Sequence, residues 1–474
     1  MKKMNNRKTK YSLNSKVFIV GAVLIVLLLN AILISLNDKI SLELDFTKDK
    51  IFALTTESKE IVDKINEPVD IIILTAGEES ETISMVKNVL DKYTQRSKQI
   101  NVREVDVVKN PTEIQAYMED IVQLGVGSLL MKQGDQHAFV DANDYFSQDG
   151  YSYIERSVTT KLASFLDDAE ESTIYFTTGH GEQLSKNYTK VLEMVGYTIE
   201  LLDTMTVDFP EEEDAIVIIS APDVDFSLDE INKMDAFLDR GGNVQIYFDP
   251  FYGSGNLENL QAYLSDDWGI ARNSNVVIDT GRMIENSSYM FGNLNEHEIT
   301  NPIMNINKGV GYGPANSLEI LVERPASVTV SPLLSTSSSS YAKDDVSLFT
   351  SKESIKKAAG DQTGPFDVLL LANRQVNAED NSLKIGSLLV SGSVLVFDSL
   401  TTDTRFANED LMLNTIKWME GNQNSITIRA KELPGGQMVF SKTQFWTWFV
   451  VLVVVIPLIT LLLGIITYVK RRYR

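Results

Sequence analysis

Cysteine is absent from all 474 residues. That excludes disulfides, zinc–cysteine sites, iron–sulfur clusters and thiol catalysis. Histidine is almost absent as well. His137, His180 and His297 leave little for an imidazole-based metal site, and neither a metal nor a cofactor is expected. Cations are scarce beside anions, 43 Lys and Arg against 65 Asp and Glu, for a net charge of −22. A nucleic-acid partner is excluded on that ground, because neutralising phosphates takes clustered Lys and Arg. No G-x-x-x-x-G-K-[ST] occurs, so the chain carries no P-loop and is not itself an ATPase. What is present is apolar: 43% of residues are hydrophobic, enough to bury a core and exclude wholesale disorder. At roughly 150 residues per domain the length predicts about three units.

The charge is unevenly placed. Residues 1–16 hold Lys2, Lys3, Arg7, Lys8, Lys10 and Lys16 and no acid; residues 470–474 hold Lys470, Arg471, Arg472 and Arg474 and no acid. Just inside these basic tails lie two uncharged apolar runs, 17–36 and 445–469, of 20 and 25 residues. About 20 apolar residues span the roughly 30 Å hydrocarbon core of a bilayer as a helix. Trp446 and Trp448 open the second run and Tyr468 and Tyr473 flank its end, as expected at the two interfaces. A cleaved signal peptide is the alternative for the first run; its apolar stretch is too long and no A-x-A-like site follows. Lys39, Lys48, Lys50, Arg429, Lys431 and Lys442 stand on the inner side of the runs, fewer than the ten terminal cations. The positive-inside bias therefore puts both termini in the cytoplasm and residues 37–442 outside a cell membrane crossed twice.

The outer segment reads as α/β in two parts. Over 45–168, apolar strands at 69–74, 100–108, 127–131 and 138–140 alternate with helices at 55–65 and 81–93. A further helix start is expected at Asn110-Pro-Thr-Glu113. The order β-α-β-α-β-β-α resembles a thioredoxin-like fold, here without the Cys-x-x-Cys pair that redox chemistry needs. Over 172–421, strands at 172–177, 197–202, 215–219 and 244–248 alternate with helices. Leu184, Tyr188, Val191, Leu192 and Val195 define one apolar face, closed by Gly196. Ser227-Leu-Asp-Glu230 reads as a capping box opening another helix, closed by Gly241-Gly242. Such alternation predicts a parallel sheet covered on both faces. Residues 281–345 are an irregular insertion with a Ser/Thr run read as a loop. Strands return at 366–371 and 393–397, and Asn408 is expected to cap a helix through Met419. Residues 422–444 form a juxtamembrane segment.

The chemistry-bearing residues cluster at predicted strand ends. Thr178-Gly-His-Gly-Glu182 lies where a strand meets a helix, the edge at which open α/β sheets bind ligands. Two glycines before a helix can cradle an anion, and His180 and Glu182 offer a base and an acid. A tight turn with a packed histidine explains the same residues. Asp249 and Asp398 each end a predicted strand and so share an edge, either as a carboxylate pair or as loop caps. Ser220-Ala221-Pro222 follows a buried strand but lacks the G-x-S-x-G elbow of a serine nucleophile. No catalytic residue is assigned. Gly179, His180, Gly181, Glu182, Pro222, Asp249 and Asp398 are the candidate ligand-binding positions.

A resemblance covers nearly the whole chain. Its residues are Leu44-Asp-Phe-Thr-Lys-Asp-Lys-Ile-Phe-Ala-Leu54, Glu67-Pro68-Val69, Thr178-Gly-His-Gly-Glu182, and Phe237-Leu-Asp-Arg-Gly-Gly242 with Asp249-Pro250. They continue through Ser331-Pro-Leu-Leu334, Gly364-Pro-Phe366, Phe406-Ala-Asn408, Trp418 and Ile456-Pro-Leu458. In this order they resemble the GldG-like auxiliary components of ABC transport systems, a family named for gliding motility. One departure is Asn301-Pro-Ile303, where the family pattern has His before Pro. The resemblance implies a glutamine-amidotransferase-like, flavodoxin-like second domain, related to a module of intraflagellar transport proteins. It also implies an ABC-2-type permease and a separate ABC ATPase subunit as partners. The amidotransferase nucleophile is a cysteine, which this chain lacks.

Three functions remain in play. The first is a non-catalytic auxiliary subunit whose outer domain binds substrate, envelope material or a partner protein. The second is an outward-facing hydrolase built on His180, Glu182 and Asp249. The third is a protein-binding scaffold.

Overall fold

The computed structural model describes residues 53–433, apart from short stretches at 78–79, 122, 148–149, 167–171, 213–214, 252–256, 285–287, 307, 345–355, 378–382, 399 and 422–427. The chain divides into two units, Met1–Ala53 and Leu54–Arg474, and the described elements belong to the second. The apolar runs at 17–36 and 445–469, with their basic tails, lie outside the described residues. Among the described residues no helix is long and apolar enough to cross a membrane.

The unit is mixed α/β with several sheets. Its first part opens with α1 (Thr56–Lys64), capped by Thr55, whose side chain accepts from the Ser58 N–H. Strand β1 (Val69–Thr75) is followed by α2 (Glu81–Arg96) and β2 (Ile100–Asp106), and then by β3 (Leu129–Gln133), β4 (Gln136–Val140), the two-residue β5 (Tyr151–Ser152) and α3 (Ile154–Ala163). The sheet order is β2-β1-β3-β4, with β1 and β2 parallel and β3 and β4 antiparallel to their neighbours. Alternation with both faces covered explains the apolar run 71–74 of β1, while Asp70 stays exposed. Ile71 and Ile73 pack with Ile83, Val86, Leu90 and Tyr93 of α2 and with α1 and α3. Ile72 and Leu74 face the other way, against Val105, Ile114, Ile121 and Leu130. Each fully buried aliphatic side chain contributes roughly 1.5–3 kcal/mol. The helix expected at Asn110 is instead a pair of short 3-10 turns, and the Asn110 side chain makes no cap bond.

The larger sheet is built from β6 (Thr173–Thr178), β7 (Thr198–Asp203), β8 (Ile216–Ser220), β9 (Asn243–Tyr247), β10 (Ile270–Arg272), β11 (Leu318–Ile320), β12 (Val328–Ser335), β13 (Asp367–Asn377) and β14 (Leu383–Ser391). Its order is β10-β11-β13-β14-β9-β8-β6-β7, with β12 also paired to β13. The run β14-β9-β8-β6-β7 is parallel; β13 joins β14 antiparallel. Helices α4 (Lys186–Met194) and α7 (Asn408–Met419) cover one face, against Ile216, Ile218 and Leu389. On the other, α5 (Leu228–Asp239) and α6 (Glu258–Trp268) cover Val217, Ile219, Leu388 and Val390.

Four expectations for this part are corrected. Residues 393–397 are not a strand: the Ser391 Oγ accepts from the Ser393 N–H and the Ser393 Oγ accepts from the Leu395 N–H, so the hydroxyls bend the chain into a 3-10 turn at Val394–Val396. The strand here is β14, which ends where those hydroxyls begin. In the insertion, Ser331–Ser335 belongs to β12, and the loop is confined to the residues after it. Asn408 opens α7 without capping it. Its side chain instead accepts from the Gly311 N–H at 2.9 Å and donates to the Gly311 and Val396 carbonyls, tying two loops to the helix start. Leu184 lies ahead of α4 and is exposed. The capping box is as expected: Ser227 and Glu230 bond each other's backbone N–H groups at the start of α5. Gly242 closes that helix tightly, since a Cβ there would lie 2.4 Å from the Phe237 ring.

Candidate functional site

Register places the ends of the parallel strands in one row. Phe176 pairs with Ile218, Ser220 with Tyr247 and Tyr247 with Ser391. The loops after β6, β8 and β9 therefore leave one edge together, which is where the sequence placed its candidates. After β6, Gly179 and Gly181 take φ of +108° and +78°, the left-handed region that glycine enters freely. A Cβ on Gly181 would meet that of Asp223 at 3.0 Å. After β8, Ala221 has φ +49°, a strained position for a residue with a Cβ, and Pro222 is buried behind it. The two loops are laced by backbone bonds. The His180 carbonyl accepts from the Asp223 and Val224 N–H groups, and the Ser220 carbonyl from Gln183 N–H.

Between the glycines, His180 turns inward and is fully buried. Its ring stacks on Phe226, centroids 3.9 Å apart at 14°. Nδ1 lies 3.6 Å from Glu182 Oε1 and Nε2 lies 3.2 Å from Glu230 Oε1. These are ion-pair distances; neither ring nitrogen makes an aligned hydrogen bond. The other Glu182 oxygen accepts from the His180 backbone N–H at 2.7 Å, and Glu230 Oε1 also accepts from Thr204 Oγ1 at 2.8 Å. Burial pushes the imidazole pKa down, the two carboxylates push it up, and the net direction is up. Burial raises Glu182 and Glu230, but His180 and their N–H and hydroxyl donors draw both below the usual glutamate value. An imidazole between two carboxylates joins the β6 loop, the start of α5 and the turn after β7. The set is an internal node: each ring nitrogen faces a carboxylate and the ring is buried away from outside molecules.

The remaining candidates separate. Asp249 follows β9 and its Oδ1 accepts from the Phe251 N–H at 2.8 Å. Asp398 follows the 3-10 turn and not a strand; its Oδ1 accepts from Ser185 Oγ at 2.6 Å, and Ser185 in turn caps α4. Ser220 is buried. Among the described residues no group of three or more His, Asp or Glu is placed to hold a metal ion.

Sequence reasoning missed a second charged cluster. Glu155 and Arg156, neighbours on α3, are both buried. Glu155 Oε1 accepts from the Thr55 N–H and from Ser58 Oγ, both at 2.6 Å, while its Oε2 pairs with the Lys431 ammonium. Arg156 pairs with Glu409 of α7, and its Nε donates to the Ile428 carbonyl at 2.5 Å. The two-residue strand Lys431–Glu432 pairs with β5. The start and the end of the described chain thus meet on one carboxylate. An amphipathic pattern gives no sign of this, because a Glu-Arg pair reads as solvated surface.

Comparison with known proteins bears on this architecture. Residues 171–415 match the family described as "ABC-type uncharacterized transport system", and residues 48–146 match a domain family of unknown function. The first match covers more than half of the chain, and the chain belongs to that family of auxiliary ABC transport components. It is similar to an uncharacterized protein of Borreliella burgdorferi, 20% identical over 483 residues, covering 91% of this chain and 93% of that one. Among solved structures, the mmIFT52 N-terminal domain aligns with 54% of this chain and all of its own at 16% identity, TM-score 0.37. An exo-beta-1,4-mannosidase from Opitutaceae bacterium strain TAV5 aligns with 73% of this chain and 50% of its own at 10% identity, TM-score 0.25. Scores this low carry no argument about fold or activity.

Proposed function

We propose that the chain is a membrane-anchored, non-catalytic auxiliary subunit of an ABC-2-type transporter. A separate ATPase powers it, a permease forms the path, and the outer unit binds substrate, envelope material or a partner protein. The family membership supports the transport role. The observation that carries the anchored form is the convergence of Thr55 and Lys431 on Glu155. A chain that leaves a membrane and returns to it needs the two ends of its outer part on one side, and one carboxylate holds both. Sequence places an apolar run before the first of these residues and another after the second, with basic tails beyond. The 2-1-3-4 strand order of the first sheet supports a thioredoxin-like module, and the five-strand parallel run with helices on both faces supports a flavodoxin-like one. GldG-like kinship is part of the same proposal.

The hydrolase reading loses its base, since His180 is buried between Glu182 and Glu230. Mild-detergent purification of the full-length chain, with mass spectrometry of what accompanies it, tests the proposal. One permease and one ABC ATPase in near-stoichiometric amounts are expected. A chain that purifies alone overturns the subunit reading.

A further inference from the structure

Every cation buried as a whole residue among those described faces a carboxylate. Arg156 meets Glu409, Lys343 meets Asp361, Arg374 meets Asp235 and Asp239, and Lys431 meets Glu155. Arg272, at the end of β10, breaks the pattern. It is half-buried, its Nε is shielded from solvent without a partner, and no carboxylate among the described residues lies within ion-pair distance of it. Its one hydrogen bond is long, from Nη1 to Asn316 Oδ1 at 3.4 Å. The guanidinium lies 4.6 Å over the Phe248 ring. Burial pushes its pKa down, with no carboxylate to pull it back.

The position lies near the carboxyl edge of the large sheet. Arg272 pairs with Leu318 and Leu318 with Asp367, while Leu369 pairs with Ser391 and Ser391 with Tyr247. The row that holds Arg272 meets β13 two residues outside the row of strand ends, so Arg272 lies just beyond the same sheet edge, and Phe248 directly follows β9. Asp367, on the same row, is engaged by Ser335 Oγ at 2.6 Å, and the groups that neighbour Arg272 in sequence and across β11 are neutral. Asn273 and Asn275 both donate to Ser317 Oγ, at 3.1 and 3.0 Å, and Asn316 donates to the Asn275 carbonyl at 2.7 Å. An uncompensated buried charge is expensive, and a guanidinium presents a planar fork matched to a carboxylate.

We propose that Arg272, backed by Phe248 and flanked by Asn273 and Asn316, binds the carboxylate of a small ligand at the carboxyl edge of the large sheet. One guanidinium among neutral amides matches a single negative charge. The chain's charge of −22 disfavours polyanions. The site stands on its own geometry, whether or not a permease copurifies.

The test follows thermal unfolding of the full-length protein in detergent, with sodium acetate against sodium chloride at equal ionic strength. Acetate is expected to raise the wild-type midpoint saturably, to leave Arg272→Met unmoved and to move Arg272→Lys less than wild type. In chloride alone, Arg272→Met is expected to melt at or above wild type, because it removes an unpaired charge and keeps the side-chain volume. Equal acetate shifts in wild type and Arg272→Met, or none in wild type, would overturn the proposal. A wild-type shift with inorganic phosphate and not with acetate would overturn the carboxylate assignment. A much lower chloride midpoint for Arg272→Met would overturn the premise that the charge is uncompensated.

Discussion

His180 and Arg272 stand on the same edge of one sheet and differ in what surrounds their charge. His180 has a carboxylate 3.6 Å from one ring nitrogen and another 3.2 Å from the other, with Phe226 against its face. Arg272 has an aromatic ring beneath it as well, but one long hydrogen bond and no counter-charge among the described residues. In the first environment the fold itself supplies both carboxylates, so its residues hold loops together. The second has no counter-charge among the described residues, and the proposed carboxylate would supply one. An aromatic-backed cation at a sheet edge is therefore not diagnostic of a site; the state of its counter-charges is. The Glu155–Arg156 cluster falls on the completed side, where every charge has its opposite.

The comparison breaks or sharpens under substitution. The largest loss is expected for Arg156→Met, which strands the Glu409 carboxylate that this guanidinium pairs with. Removing one partner of a buried pair costs about 3–5 kcal/mol, read as a lower midpoint in denaturant titration. His180→Gln comes next. It leaves Glu182 and Glu230, both with almost fully buried side chains, without the imidazole between them. A loss of about 1–3 kcal/mol is expected; a neutral outcome would remove His180 from the set of completed charges.

The same node predicts a pH window. His180 is raised from its ordinary 6.5, so its contribution is fully present below pH 6.5 and is lost as pH rises through the higher folded value. Glu182 and Glu230 are lowered from 4.5, so theirs is fully present above pH 4.5 and is lost as pH falls through the lower folded values. The node is thus strongest between pH 4.5 and 6.5. Midpoints measured across pH should show the alkaline limb of this dome flattened in His180→Gln. Ser227→Ala, which removes the hydroxyl arm of the capping box beside Glu230, should cost about 1 kcal/mol by the same titration. Arg272→Met closes the series with the smallest effect, a change at or above zero in chloride.

Much of the framework was legible because burial writes a simple pattern. The all-apolar run Ile216–Ile219 could only be a strand covered on both faces, and Ser227 with Glu230 could only open a helix. Strand β14 was not legible. Its Gly386 sits against the Leu238 carbonyl, where a Cβ would approach to 2.1 Å, so packing and not propensity places it. Thr178-Gly-His-Gly-Glu182 does lie at the edge where the loops after β6, β8 and β9 leave the sheet. The inward turn of His180 depends on Phe226 and Glu230, which reach it from another loop and from a helix start. Glu230 already had a sufficient role as a cap, so its second oxygen gave no signal. Arg272 gave none either, because a missing counter-charge exists only in space.

The central claim is that the unit between Thr55 and Lys431 is held outside a membrane by two anchors, and the absence of cysteine makes it directly measurable. Single cysteines would be introduced in the full-length chain at Ser12, in the basic tail, and at the exposed Ser338. Both would be probed in intact cells with a membrane-impermeant maleimide. The account predicts labelling of Ser338→Cys in intact cells and of Ser12→Cys only after lysis. Equal labelling of the two positions in intact cells, or labelling of Ser12→Cys alone, would contradict it.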